Sequence, residues 1–252
     1  MTRQMTGELQ FRDVTIGYDR HPAVHHLNGV IAAGSLLAVV GPNGAGKSTL
    51  FKGIAGALPL LSGSIDRGGA LARDIAYLPQ VAEIDRGFPI GVYDMVAMGL
   101  WKHTGLFGGI GATSRARIRE AIAAVGLTGF ELRAIATLSG GQMQRVLFAR
   151  LLLQDARTIL LDEPFNAIDS KTAADLLALV RRWHGEKRTV LAALHDIDVV
   201  REHFPQTLLL AREPVAWGQT ADVLTPQNLL KARQMCEAFD EEAAPCTAPL
   251  AG

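Results

Sequence analysis

Gly41-Pro42-Asn43-Gly44-Ala45-Gly46-Lys47-Ser48-Thr49 follows the apolar run Leu36-Leu37-Ala38-Val39-Val40 and opens a helical pattern at Leu50-Phe51-Lys52. A buried strand leading into G-x-x-x-x-G-K-[ST] and on into a helix is the setting of a phosphate-binding P-loop. The chemistry needs those residue types. Glycines let the backbone curl until successive amides face one anion, and the helix that follows adds its positive N-terminal end. In this reading Lys47 reaches the β- and γ-phosphates and Ser48 serves Mg²⁺.

Outward from that loop, composition sets bounds. The chain has 252 residues, of which 48% are hydrophobic, enough to bury the core of one large α/β domain. Its 25 basic and 25 acidic residues cancel, which gives no electrostatic reason to expect nucleic acid or acidic lipid as a partner. Both cysteines, Cys236 and Cys246, lie near the C-terminus, where they cannot staple a core, so a reducing compartment is expected. Neither a signal segment nor an apolar run of membrane-spanning length is evident.

Alternation predicts strands over residues 9–18, 26–31 and 36–40, then a helix over 47–57. Residues 58–64 read as a stop and turn, with short strands at Ile65 and over 75–78, the latter ended by Pro79. The period turns helical over residues 91–153, a helical insertion in the α/β frame. The frame then resumes with strands at 158–161 and 189–194, helices at 172–183 and 196–204, and paired strands at 208–210 and 215–217. The expected fold is α/β, with a largely parallel sheet covered on both faces. One domain over residues 7–239 and a frayed tail over 240–252 are expected.

A P-loop alone serves many chemistries, so a second phosphate motif carries more weight. In Leu138-Ser139-Gly140-Gly141-Gln142, Ser139 can cap a helix while the Gly140 and Gly141 amides stay free to meet an anion. The third element, Ile159-Leu160-Leu161-Asp162-Glu163-Pro164, is a buried strand that delivers two acids at its end. Neighbouring acids on a strand point opposite ways and divide the work. Asp162 is expected in the Mg²⁺ shell, and Glu163 against the water that attacks the γ-phosphorus.

The order of P-loop, Gln80, residues 138–142, Asp162-Glu163 and His195 resembles the ATP-binding subunit of an ABC transporter over residues 7–225. The resemblance implies a P-loop ATPase core with an N-terminal antiparallel β subdomain, ATP and Mg²⁺ as nucleotide and ion, and roles for further residues. Tyr18 would stack on adenine, Gln80 would contact Mg²⁺ or water and couple to the membrane partner, Asp169 would touch the opposite subunit, and His195 would contact the γ-phosphate. The segment Asn166-Ala167-Ile168-Asp169 departs from the common Ser-Ala-Leu-Asp form; Asp169 is kept, and the contribution of Asn166 is put in doubt.

Two anion-ready helix starts on one chain, at Lys47 and Gly141, suggest a head-to-tail dimer in which each signature closes on the other copy's ATP. Residues 92–100 with Gly105-Leu106-Phe107-Gly108, and residues 163–169, look most like the ATPases that power uptake of zinc, manganese or iron(II), with zinc first and an iron-siderophore or haem importer as the rival. The implied partners are a second copy, a membrane permease and, through it, an extracytoplasmic metal-binding protein, with no nucleic acid. The implied location is the cytoplasmic face of the cell membrane, held peripherally by the permease. Residues 101–111, apolar and glycine-rich, read equally as a docking surface or as a loop folded on the helical block.

Other readings have less support. An ABC-type ATPase acting on DNA or ribosomes calls for a long coiled-coil insertion or two nucleotide domains, and a GTPase for an Asn-Lys-x-Asp segment; none is present. His21, His25 and His26 lack a matching ligand at metal-site spacing. Lys171, Arg181, Arg182, Lys187 and Arg188 read as a solvated helix face and turn.

Overall fold

Two sheets share the chain. The structure, a computed structural model, describes residues 6–19, 21–101 and 110–237. The smaller sheet has three antiparallel strands in the order β2-β1-β4: β1 (Leu9–Tyr18), β2 (His21–Ile31) and β4 (Leu60–Asp66). The larger has six, in the order β5-β6-β7-β3-β8-β9: β3 (Leu36–Val40), β5 (Ala76–Leu78), β6 (Thr158–Asp162), β7 (Thr189–Leu194), β8 (Gln206–Ala211) and β9 (Glu213–Gln219). Its pairings are parallel except β8 with β9.

Strands β3, β6 and β7 are buried at every position, which is why they read as unbroken apolar runs. Alternate residues serve opposite cores. Leu37, Val39, Leu160, Leu191 and Ala193 pack with helix α1 (Lys47–Ile54) and the small sheet. Leu36, Ala38, Val40, Ile159 and Leu161 face the second core, built largely on α2 (Val92–Ala97), α3 (Ala112–Ala124), α4 (Gly140–Gln154) and α5 (Ser170–Gly185). Helices α2, α3 and α4 all lie in the chain between β5 and β6. After β7 come α6 (Ile197–His203), the β8–β9 pair, α7 (Thr220–Val223) and α8 (Pro226–Glu237).

The structure corrects the turn expected over residues 58–64, since Leu60 begins β4, which pairs with β1 from Gln10↔Asp66 to Ile16↔Leu60. The strand is an exposed edge with little apolar signal of its own, and pairing with β1 outweighs its serines and glycine. Gly63 sits at φ +79 where the register shifts between Arg12 and Thr15, and a Cβ there would lie 2.2 Å from the Asp13 carbonyl oxygen. Strand β2 begins five residues ahead of the expected start at residue 26 and takes in His21 and His25. Helix α8, which sequence periodicity left unassigned, packs against β8 and β9. Residues 102–109, the tail over 240–252 and Cys246 lie outside the described residues.

Candidate nucleotide site

The loop over residues 41–46 leaves the sheet between β7 and β8, the two neighbours of β3, and crowding explains two of its glycines, Gly41 and Gly46. A Cβ on Gly41 would stand 2.0 Å from the Leu210 carbonyl oxygen. Gly46 adopts φ +93 at the start of α1, and a Cβ there would meet the Ala23 carbonyl oxygen at 2.4 Å. No side chain caps α1, so its first amides are left to a ligand. Lys47 is 6% exposed, and its Nζ donates to the carbonyls of Gly41 at 2.8 Å and Pro42 at 2.9 Å. Burial pulls its ammonium below the usual lysine range, against the opposing pull of Glu163 and Asp162.

Asp162, the last residue of β6, is fully buried and faces α1. Ser48 Oγ donates to its Oδ1 at 3.1 Å, Tyr77 Oη donates to its Oδ2 at 3.2 Å, and Gln80 Nε2 donates to Ser48 Oγ at 3.1 Å. Burial raises the Asp162 carboxyl above its ordinary range, and the bonds from Ser48, Tyr77 and Gln80 work against that rise. Burial, followed by the nearby Asp162 charge, also pushes the Tyr77 phenol up, keeping it a neutral donor. A hydroxyl, a carboxylate and a side-chain amide converging at the end of α1 form the oxygen-rich set a small hard cation takes, so the residues fit Mg²⁺.

Glu163 lies just past the strand, at φ +50, and its N–H donates to the Ala193 carbonyl at 3.2 Å. This left-handed turn, rather than strand alternation, sends the two acids apart. His195, just beyond the end of β7, brings Nε2 to 2.5 Å from Glu163 Oε1. Asn166 Nδ2 donates to Glu163 Oε2 at 2.8 Å. The structure thus brings Lys47, Ser48, Gln80, Asp162, Glu163 and His195 to the C-terminal edge of the parallel strands. Tyr77 was missed, and so was the bond of Asn166 to Glu163. Tyr77 pairs with Leu160, two residues before Asp162 and on the same face of the sheet, a neighbourhood visible once β5 is known to lie beside β6.

Ser139–Gln142 forms the start of α4, beside the turn over residues 167–169. Gln142 N–H donates to Ser139 Oγ at 3.2 Å and Ser139 N–H to Gln142 Oε1 at 2.9 Å, a capping box at the start of α4. Arg86, from the stretch after Gln80, donates to the Leu138 carbonyl beside it. Asp169 caps α5, taking the Thr172 N–H at 2.9 Å and the Thr172 hydroxyl at 2.7 Å; those bonds hold its carboxyl below the ordinary range. Tyr18 ends β1 and is 48% exposed. Among the described residues no three His, Cys, Asp or Glu side chains group as a metal site, and His26 instead pairs with Asp13 at 2.7 Å. Cys236 on α8 has its thiol pushed up by burial. No described helix is long and apolar enough to cross a membrane.

A phosphate loop opening an uncapped helix, with a buried acid and a Glu–His pair at the ends of the neighbouring strands, defines a P-loop ATPase. The chain belongs to the ABC transporter family, whose model matches residues 24–166. It is a subunit of the ATP-binding, ATP-hydrolysing type. It is similar to the zinc transport system ATP-binding protein TroB of Treponema pallidum, 39% identical over 228 residues, which cover 89% of this chain and 86% of that one. The manganese transport system ATP-binding protein MntB of Listeria monocytogenes is 36% identical over 88% of this chain and 94% of its own. Among solved structures, an inward-facing metal-chelate type ABC transporter superposes with a TM-score of 0.79 at 29% identity, over 90% of this chain and 88% of that one. A nucleotide-free ABC cassette superposes at 0.77 over 89% of this chain and 98% of its own; at 19% identity it speaks for the fold alone.

Proposed function

We propose that this chain hydrolyses ATP to power an importer for a divalent transition metal, zinc before manganese, from the cytoplasmic face of the membrane. The observation that carries the reaction is the meeting of Lys47, Ser48, Asp162 and the Glu163–His195 pair where β3, β6 and β7 end. The cargo rests on the likeness to TroB, with MntB as the basis for the alternative. An iron-siderophore or haem importer remains the rival from the sequence.

In this reading the amides of residues 44–49 and Lys47 cradle the β- and γ-phosphates, and Tyr18 stacks on the adenine. Ser48, Asp162 and Gln80 hold Mg²⁺, which when bound draws charge from the phosphate oxygens. Glu163 accepts a hydrogen bond from the attacking water and draws its proton as the new bond to the γ-phosphorus forms. The bond to the β-phosphate oxygen breaks, leaving ADP and inorganic phosphate, with His195 donating to the oxygens in transfer. The signature, residues 138–142, and Asp169 serve a second copy in head-to-tail arrangement. The permease docks beside Gln80 and the helical block. Residues 7–239 then act as one ATPase domain.

Co-purification of the tagged chain from its native membranes, with ATPase assays of wild type and Glu163→Gln, tests the whole reading. The expected yield is a metal-type permease with activity that falls about 100-fold or more in the variant, the scale on which a group acting on the transition state is felt. Ribosomes or DNA-repair proteins in place of a permease would overturn the transport assignment and leave the ATPase standing.

A further inference from the structure

Asn166 is one of two residues, with Ile168, at which this chain departs from the family form, and its side chain turns inward to its own Glu163. Two bonds close that turn. The Asn166 N–H donates to the Glu163 carbonyl at 3.2 Å, and Nδ2 donates to the carboxylate Oε2 at 2.8 Å. His195 occupies the other oxygen at 2.5 Å, so the carboxylate is gripped from β7 on one side and from the following turn on the other. Glu163 itself sits at φ +50, a strained conformation for a non-glycine residue, and Ala167 at φ +54 completes the turn. A carboxylate held at both oxygens has one orientation, and each oxygen keeps a lone pair for water.

We propose that Asn166 is a positioning residue for ATP hydrolysis: its amide fixes Oε2 of Glu163 so that the carboxylate meets the attacking water in one geometry. A serine at this position offers only a shorter hydroxyl donor. The asparagine donor is charge-assisted through its acceptor, and the grip exists within one chain. Orientation of a reacting group acts on turnover and leaves ground-state nucleotide binding alone. The inference rests on the reading of Glu163 as the group that acts on water.

Steady-state ATPase kinetics of the full chain with Asn166→Ala and Asn166→Asp, beside Glu163→Gln, tests it. Asn166→Ala is expected to lower kcat about five-fold with KM for ATP within about two-fold, the signature of a contact that matters in the transition state. Asn166→Asp keeps the shape, removes the donor and sets a second carboxylate against Glu163, so its kcat is expected to fall further, about twenty-fold. Affinity for a fluorescent ATP analogue and the thermal midpoint should stay at wild-type values in both. Equal kcat in wild type and Asn166→Asp, or a higher kcat in Asn166→Ala, overturns the proposal. Loss of nucleotide affinity or of the fold in step with kcat overturns it too, since the residue is then structural. If Glu163→Gln keeps full activity, the underlying reading of Glu163 fails instead, and the two failures are told apart.

Discussion

The starts of α1 and α4 are both glycine-flanked helix N-termini, yet they are finished in opposite ways. Helix α1 opens on Gly46 with no side-chain cap, and its first residue, Lys47, is buried and held by two loop carbonyls. Helix α4 opens on a reciprocal cap in which Ser139 and Gln142 satisfy each other's backbone. Among the described residues no hydrogen bond takes the Gly140 or Gly141 amide, so α4 keeps two donors and gives up the rest to rigidity. The first start is an unfinished cradle that a nucleotide completes. The second is a self-held, solvent-facing platform suited to touch a phosphate carried by another molecule. One helix-terminus effect is thus finished as a self-contained cradle in one place and, in the proposed head-to-tail pair, as a half-site in the other.

The sharpest way to break this contrast is to strip each start of what distinguishes it. Lys47→Ala removes the buried ammonium of the cradle, and ATP hydrolysis is expected to fall about 100-fold or more together with nucleotide affinity. Its melting temperature should change little or rise, because desolvation already strains that charge. Wild-type ATPase in Lys47→Ala would sink the assignment of α1 as the nucleotide cradle. At the other start, Gly141→Asp sets a carboxylate where the platform offers amides, and a Cβ there meets nothing nearer than 3.7 Å. If the signature serves another copy's nucleotide, as proposed, turnover is expected to fall about ten-fold or more while the isolated chain binds ATP as before. Lost affinity in Gly141→Asp, measured with a fluorescent ATP analogue, would place both starts on one nucleotide and undo the comparison.

The contrast was only half legible in the sequence. The P-loop, the signature and the acid pair are local patterns, and the strands and helices that carry them follow from periodicity in unbroken segments such as Leu36–Val40. Ser139 and Gln142 also stand three apart, the spacing of a capping box, so the self-held platform was in principle readable. Strand order was not. Tyr77 reaches Asp162 only because β5 lies beside β6, and a contact between residues 85 apart in the chain follows from sheet topology that no local pattern encodes. Strand β4 was expected only at Ile65, and the rest of it escaped for the related reason that its stability comes from β1 and its own side chains say little. Glu163 and Asn166 illustrate a third kind of blindness. Opposed directions for Asp162 and Glu163 follow from strand alternation on paper and from a left-handed residue in fact, and the same turn brings Asn166 onto the carboxylate.

A third helix start, that of α5, supplies the finest test, because its cap carries charge. Asp169 takes both the N–H and the hydroxyl of Thr172, and these bonds, the hydroxyl first, depress its carboxyl below the unfolded value. A depressed carboxyl contributes stability that is present above the unfolded pKa, about 3.9, and is lost as pH falls through the lower folded value. Asp169→Asn retains a capping oxygen and gives up the charge at the positive end of α5. Its melting temperature is therefore expected to lie slightly below wild type at pH 7, with the gap closing as pH falls through the lowered folded value. A gap that stays constant with pH would mean that the charge of Asp169 does not serve the cap. The same variant separates two jobs for the residue. If Asp169 only caps α5, ATPase activity at pH 7 should follow the small stability change. If it also meets the opposite subunit, turnover should fall by more than the lost cap explains, with ATP affinity of the single chain intact, the pattern expected for Gly141→Asp.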